Sequence, residues 1–377
     1  MKRIVINFLV TLFPFVVFGQ IMSFEDYNPP STLVVPENPL TRAKFPFIDV
    51  HNHQRRMGSM DLNEVTTEMD KLNMAVMVNL SGRGFRRTQN EDGTFSFGLN
   101  ESDFLKQAVE NAKKQKPGRF IVFTNIDFNN IDEPDWAENT IRQLEIDVRN
   151  GANGLKIYKS HGLTNKDKSG KLIAVDDPRI DPVWAKCGEL GIPVLIHTGE
   201  PAAFWLPKDK NNERWLELKQ RPGRYRDPAI FPSWEQIMSE QHNVFRKHPK
   251  TIFINAHLGW MGNDLGRLGK LMDELPNMYT EIGAVLAELG RQPRFAREWF
   301  IKYQDRVMFG KDSWNPKEYY VYFRVLESAD EYFDYYRKRH AFWKMYGMNL
   351  PDEVLKKLYY KNALRIIPGI DKSGFPD

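Results

Sequence analysis

FPFIDVHNH, residues Phe45 to His53, reads as a buried strand that ends in two histidines two residues apart. Phe45, Phe47, Ile48 and Val50 supply a strand that is apolar on both faces, the pattern of a sheet covered on both sides. Residues i and i+2 on a strand point the same way. His51 and His53 therefore face one direction, and Asp49 shares their parity. Imidazole nitrogen and carboxylate oxygen suit Zn²⁺ and similar divalent ions. Asp49 is expected to support a ligand from behind or the fold beneath it.

Seven further runs have the same strand character: MAVMVNLSG, RFIVFTNIDF, NGLKIYKSHG, IPVLIHTGEP, TIFINAHLGW, NMYTEIGAV and RVMFGKDSW. Helical patterns lie between them, among them LNEVTTEMDKLN, ESDFLKQAVENAKKQ, EPDWAENTIRQLEIDVRNG, DPVWAKCGELG and DLGRLGKLMDELP. In PRFAREWFIKYQ, Phe295, Trp299 and Phe300 make an apolar stripe at helical spacing. Strand alternating with helix predicts a parallel sheet built from right-handed crossovers. Eight such strands close a (β/α)8 TIM barrel. An open doubly wound sheet is the alternative, but no Gly-x-Gly-x-x-Gly turn follows the first strand.

A barrel places its active site at the C-terminal ends of its strands. The polar residues fall there: Asp49, His51 and His53 on strand one, Lys156 and Tyr158 on strand four, His197 and then Glu200 on strand five. His257 ends strand six, Glu281 lies on strand seven and Asp312 ends strand eight. The chain has eight histidines, and four of them sit at these ends.

The 377 residues are 41% hydrophobic and 27% charged, enough for a large core, and carry a net charge of +4. No long single-sign run points to nucleic acid. MKRIVINFLVTLFPFVVFGQ has a basic start, an apolar run and small residues at Val17 and Gly19, which predicts a secretory signal peptide over residues 1–19. The alternative is an uncleaved anchor, for which the run is short and contains Pro14. Cleavage would bring the charge to +2, and no stable membrane insertion is expected afterwards. The mature protein is then exported, periplasmic or secreted. Cys187 is the one cysteine, so no internal disulfide can form. Residues 20–44 read as an irregular Pro-rich lead-in, and 45–377 as a single catalytic domain.

DVHNH, LIHTGEP, NAHLGW, FGKDSW and the late LYYKNALRII resemble the amidohydrolase superfamily, in particular its amidohydrolase-related (type 2) branch of metal-dependent TIM-barrel hydrolases and decarboxylases. The resemblance runs from about Phe45 to Pro368. It implies a metal held by His51, His53, His197 and Asp312, with His257 polarising the substrate or its water. One divalent ion is expected, Zn²⁺ first and Mn²⁺ second. Asp312 would accept a proton from the water and pass it to the leaving group, and His257 would stabilise the developing oxyanion. A second metal would need a bridging group, which some branches supply as a carbamylated strand-four lysine, here Lys156. Otherwise Lys156 is a cation for a substrate carboxylate or a partner of Glu281. Tyr158 stands where several branches carry a histidine.

Around these residues the readings are open. Glu200 is expected either behind the metal ligands or as a loop residue pinned by Pro201, and Lys159 is expected to leave the barrel. His161 faces the pocket or the surface, while His242, His248 and His340 read as structural. The long connection from Ala202 to Pro232 is either a cover for the site, with Trp205, Trp215 and Tyr225 as apolar contacts and Arg221, Arg224 and Arg226 meeting an anionic substrate, or a surface flap that its aromatics dock. Trp260 and Trp314 either wall the pocket or pack at its rim. EYYVYFRVLESADEYFDYYRKRHAFWKMYG reads as a helical tail on the barrel exterior, with a homodimer surface as a further use. The leading expectation is hydrolysis of an ester, lactone or amide of a small, anionic substrate. Non-oxidative decarboxylation is the alternative, and a ligand-binding barrel without turnover the third.

Overall fold

The computed structural model describes residues 22–23, 26–89, 91, 95–99, 103–337, 340 and 342–376. The predicted signal peptide lies outside the described residues. The chain divides into Met1–Val34 and Val35–Asp377. The described part of the first unit has no helix or strand.

The second unit is a (β/α)8 barrel. Its strands are β1 (Phe47–Asn52), β2 (Met74–Asn79), β3 (Phe120–Val122 and Thr124–Asn125), β4 (Leu155–Ile157), β5 (Val194–Ile196), β6 (Phe253–Asn255), β7 (Met278–Glu281) and β8 (Val307–Met308). All neighbours pair in parallel, in sequence order. Phe123 interrupts β3, yet its N–H still donates to Asn79 O at 3.0 Å. The ring closes where Val50 N donates to Phe309 O at 3.0 Å and Asp312 N to His51 O at 2.7 Å. The strands are apolar throughout because helices cover them outside and side chains fill them inside.

The crossover helices are α1 (Asn63–Leu72), α2 (Phe104–Gln115), α3 (Trp136–Arg149), α4 (Asp181–Glu189), α5 (Trp234–Lys247), α6 (Leu265–Glu274) and α7 (Pro293–Tyr303). All but α5 sit on a stretch quoted above as helical. In α7, Trp299 and Phe300 are buried, but Phe295 is 49% exposed, so the stripe is narrower than its spacing suggested.

Three features differ from expectation. An antiparallel hairpin, Phe85–Gln89 with Phe95–Leu99, is inserted after β2. The tail is helical only over Pro316–Glu327, labelled α8. Ser328 is extended, and a short ribbon of Phe333–Asp334 with Lys344–Met345 follows. Asp330 draws the chain out of the helix, accepting from Arg324 Nε at 2.6 Å and from Asn38 N at 2.7 Å. That contact also ties residues 35–44, read as lead-in, to the barrel unit, and Ala43 N donates to Leu72 O at 3.1 Å.

Candidate metal centre

β1 carries His51 in its last turn of pairing, and His53 lies just past its end. The register of β1 on β2 shifts between Asp49 and Asn52, and Asp49 explains why. Its carboxylate is fully buried and accepts from His51 N (3.0 Å), Asn52 Nδ2 (2.9 Å), Lys311 N (3.1 Å) and Tyr319 Oη (2.6 Å). Burial raises its pKa to about 6, against the hydrogen bonds from Tyr319 and Asn52. Asp49 thus fixes the backbone that presents the histidines and joins β1 to the chain after β8.

The donor atoms of His51, His53 and Asp312 lie within 4.8 Å of one another. His51 Nε2 is 3.4 Å and His53 Nε2 3.7 Å from Asp312 Oδ1. The opposite ring nitrogens are engaged: His51 Nδ1 with Glu281 Oε1 at 2.9 Å, and His53 Nδ1 with Ser81 Oγ at 2.9 Å. Because the Glu281 carboxylate can only accept, His51 carries its proton on Nδ1 and keeps a lone pair on Nε2. That nitrogen is buried without a hydrogen-bond partner among the described residues. Burial first, then the Lys156 charge, holds His51 well below the ordinary imidazole pKa, and burial takes His53 down to about 3. Both rings are neutral at neutral pH, as a ligand must be. Burial disfavours the Asp312 carboxylate, but the imidazoles of His51, His257 and His53 outweigh it and keep its pKa below the usual range. Two neutral imidazoles braced from behind and one ionised carboxylate fit a divalent ion.

A model of the family described as Amidohydrolase matches residues 48–369. The chain belongs to that family. Members of this type 2 amidohydrolase group are metal-dependent hydrolases or decarboxylases. No curated protein matches the chain significantly. Similar solved structures include an uncharacterized TIM-barrel protein from Bordetella bronchiseptica, 16% identical with a TM-score of 0.48, covering 85% of this chain and 97% of that one. Another is 2,6-dihydroxybenzoate decarboxylase from Rhizobium, 13% identical, TM-score 0.49, covering 85% and 98%. A third is 4-oxalomesaconate hydratase from Rhodopseudomonas palustris, 14% identical, TM-score 0.48, covering 85% and 95%. At these identities the assignment rests on the family match alone.

The remaining candidates divide. His197 lies outside the ligand group of this amidohydrolase among the described residues, its ring centroid 6.5 Å from that of His51. It is tied to His257 instead: His257 Nδ1 donates to the Gly283 carbonyl (2.7 Å), and His257 Nε2 lies 3.2 Å from His197 Nδ1. His197 Nε2 is buried without a hydrogen-bond partner among the described residues. Trp260 packs on both rings, at 4.5 Å from His257 and 5.5 Å from His197. Lys156 is 1% exposed and its Nζ has no hydrogen-bond partner among the described residues; burial lowers its pKa to about 7. Tyr158 donates to Leu80 O at 2.9 Å and its ring stands 6.0 Å from that of His53. Trp314 is half-buried, edge-on to Tyr319 at 5.8 Å.

Glu281, expected at the substrate, is instead fully buried beneath the rings. Oε1 also accepts from His257 N at 2.6 Å, and Oε2 from Gly283 N at 2.5 Å. A Cβ on Gly310 would lie 2.2 Å from Glu281 Oε2, so only glycine leaves this carboxylate its place. Glu200 turns away from the cluster to Lys159 Nζ (2.5 Å) and Arg226 (3.2 Å). Lys159 therefore folds back onto the strand-five loop rather than leaving the barrel. Arg224, expected to meet an anionic substrate, pairs with Glu217 inside that loop. His161 is buried against Phe128, ring centroids 4.4 Å apart, and does not sit on the surface.

Ser81, Tyr319 and Arg337 were missed. Ser81 sits in an unremarkable LSG, and only its distance from His53 reveals it. Tyr319 and Arg337 belong to the aromatic stretch read as an exterior tail, yet Tyr319 reaches Asp49 and the Arg337 charge acts on Asp312.

Proposed function

We propose that this amidohydrolase is a metal-dependent hydrolase acting on an ester, lactone or amide bond of a small, negatively charged substrate. The observation that carries the reading is the His51–His53–Asp312 group, with imidazole lone pairs turned inward and the far nitrogens held by Glu281 and Ser81. These residues would hold one divalent ion, Zn²⁺ by its donor set, which lowers the pKa of a coordinated water to about 7. His197, whose buried Nε2 has no hydrogen-bond partner among the described residues, would join them as a further ligand only by moving in from outside the group. The ionised Asp312 accepts a proton at its carboxylate and returns it to the leaving group. His257, held at Nδ1 by Gly283, would stabilise charge that develops on the carbonyl oxygen by presenting a proton at Nε2. Lys156 supplies positive charge to an anionic substrate, and Trp260 excludes water from the imidazoles. The apolar, basic N-terminal segment supports export to the periplasm or medium.

Metal per chain and product analysis test this together. About one ion in the wild type, lost in His53→Ala and Asp312→Asn, with hydrolysis products from an ester and lactone panel, is the expected result. Free CO₂ from a carboxylate substrate would replace hydrolysis with decarboxylation. Two ions would instead support a carbamylated Lys156 bridge. A metal-loaded chain that turns over nothing would leave a binding barrel.

A further inference from the structure

Among the described residues, two buried polar atoms that line one cavity have no hydrogen-bond partner: Lys156 Nζ and Thr164 Oγ1. The cavity has a volume of about 380 Å³. Its walls come from the ends of β3 and β4, the turn after β4 and the inserted hairpin, the last through Thr88, Gly98 and Leu99. Tyr158 stands between the cavity and the ligand group. That ring lies 5.8 Å from Lys156 Nζ on one side and 6.0 Å from the His53 ring on the other. The volume lies within the usual range for small-molecule sites, roughly 300–1,000 Å³.

The chemistry of the two atoms restricts what fills it. Asp312 and Glu281 act on the Lys156 charge from a distance, but a buried ammonium without a hydrogen-bond acceptor is costly. An ammonium has donors only, so its partner must accept. A buried hydroxyl without a partner also costs stability, and a ligand oxygen can satisfy it. Asp127 also lines the cavity but is already committed, its carboxylate accepting from Asn129 N at 2.9 Å and Asn129 Nδ2 at 3.1 Å. The protein therefore leaves a cation and a hydroxyl for an anionic oxygen group.

We propose that this cavity is the subsite for a carboxylate-bearing end of the substrate, with Lys156 supplying the charge and Thr164 a directional hydrogen bond that sets specificity. The proposal rests on reading the neighbouring cluster as a metal centre, which would hold the scissile end.

The test is calorimetric titration of the full chain, stripped of metal, with benzoate as the carboxylate probe and benzamide as its neutral counterpart. Benzoate should bind and benzamide should not. Lys156→Met should weaken benzoate at least tenfold. Thr164→Val, nearly isosteric, should weaken it three- to tenfold, about one hydrogen bond, and Thr164→Ser should restore it. Equal binding of the two probes, or benzoate affinity unchanged in both Lys156→Met and Thr164→Val, overturns the proposal. Elemental analysis of the same chains after reloading with Zn²⁺ separates the two readings. Metal present with no benzoate binding removes the subsite and spares the metal centre. Benzoate binding without metal uptake removes the centre and keeps the subsite.

Discussion

Glu281 shows how much of the centre depends on a residue outside the His51–His53–Asp312 group. It orients His51 through Nδ1 and holds the His257 backbone through the same oxygen. Groups that brace a metal-ligating histidine from behind typically contribute 10–100-fold to metal affinity. Glu281→Gln keeps the volume but places an amide where two or more N–H groups need acceptors. Zn²⁺ affinity, measured by chelator competition, is expected to fall by about that factor; an unchanged affinity would show that His51 needs no brace. The His-x-His pair was legible from parity alone, because β-strand geometry fixes the direction of i and i+2. The role of Glu281 was not, since its partners are 230 and 24 residues away in the chain.

At the scale of elements, β6, β7 and β8 each run into left-handed backbone at the site. His257, Leu258, Gly259 and Trp260 have φ of 60°, 54°, 58° and 56°, and Ala284 and Asp312 have 58° and 81°. Non-glycine residues in this region cost about 1–2 kcal/mol each. The strain is held by Glu281 and Gly283 through His257, and it swings His257 and Trp260 over His197. Gly259→Ala would add backbone strain and place a Cβ 2.4 Å from Asn255 Nδ2. It should lower stability by about 1–3 kcal/mol and reduce turnover more than a surface Gly→Ala change. Denaturant unfolding and turnover measured side by side check this; a variant as stable as wild type would mean the turn is not strained. The helices were predictable from 3.6-residue periodicity. The hairpin after β2 and the ribbon after α8 were not, because short strands inside loops and aromatic stretches carry little periodic signal.

At the scale of the molecule, closure of the barrel depends on an aromatic cluster where its two ends meet. Phe47 packs on Phe309 at 4.8 Å, Phe323 at 5.5 Å and Tyr359 at 5.9 Å, so β1, β8, α8 and the C-terminal segment share one core. Phe47→Ala should cost about 3–5 kcal/mol, read as a shift in denaturant midpoint; a loss below about 1 kcal/mol would place closure elsewhere. A second molecular property is acid sensitivity. Burial holds His161, His242 and His340 down to about 4. Above pH 6.5 these rings are neutral in both folded and unfolded chains, and stability is unaffected by them. As pH falls from 6.5 toward 4 the unfolded chain takes up protons that the folded chain refuses, so stability declines by up to about 1.4 kcal/mol per ring per pH unit. Equilibrium unfolding between pH 7.5 and 4.5 measures the slope; a flat profile would contradict neutral buried rings.

The sequence by itself determined the barrel, the strand ends that bear chemistry and the parity that turns His51 and His53 together. These follow from local periodicity and strand geometry, which act over a few residues. Only the tertiary structure decided that Glu281 lies under the imidazoles, that Glu200 and Arg224 are spent on pairs within the strand-five loop, and that Lys156 and Thr164 share a cavity. Those outcomes depend on charges and acceptors brought together from distant segments, and on burial, which sets what each group must pair with.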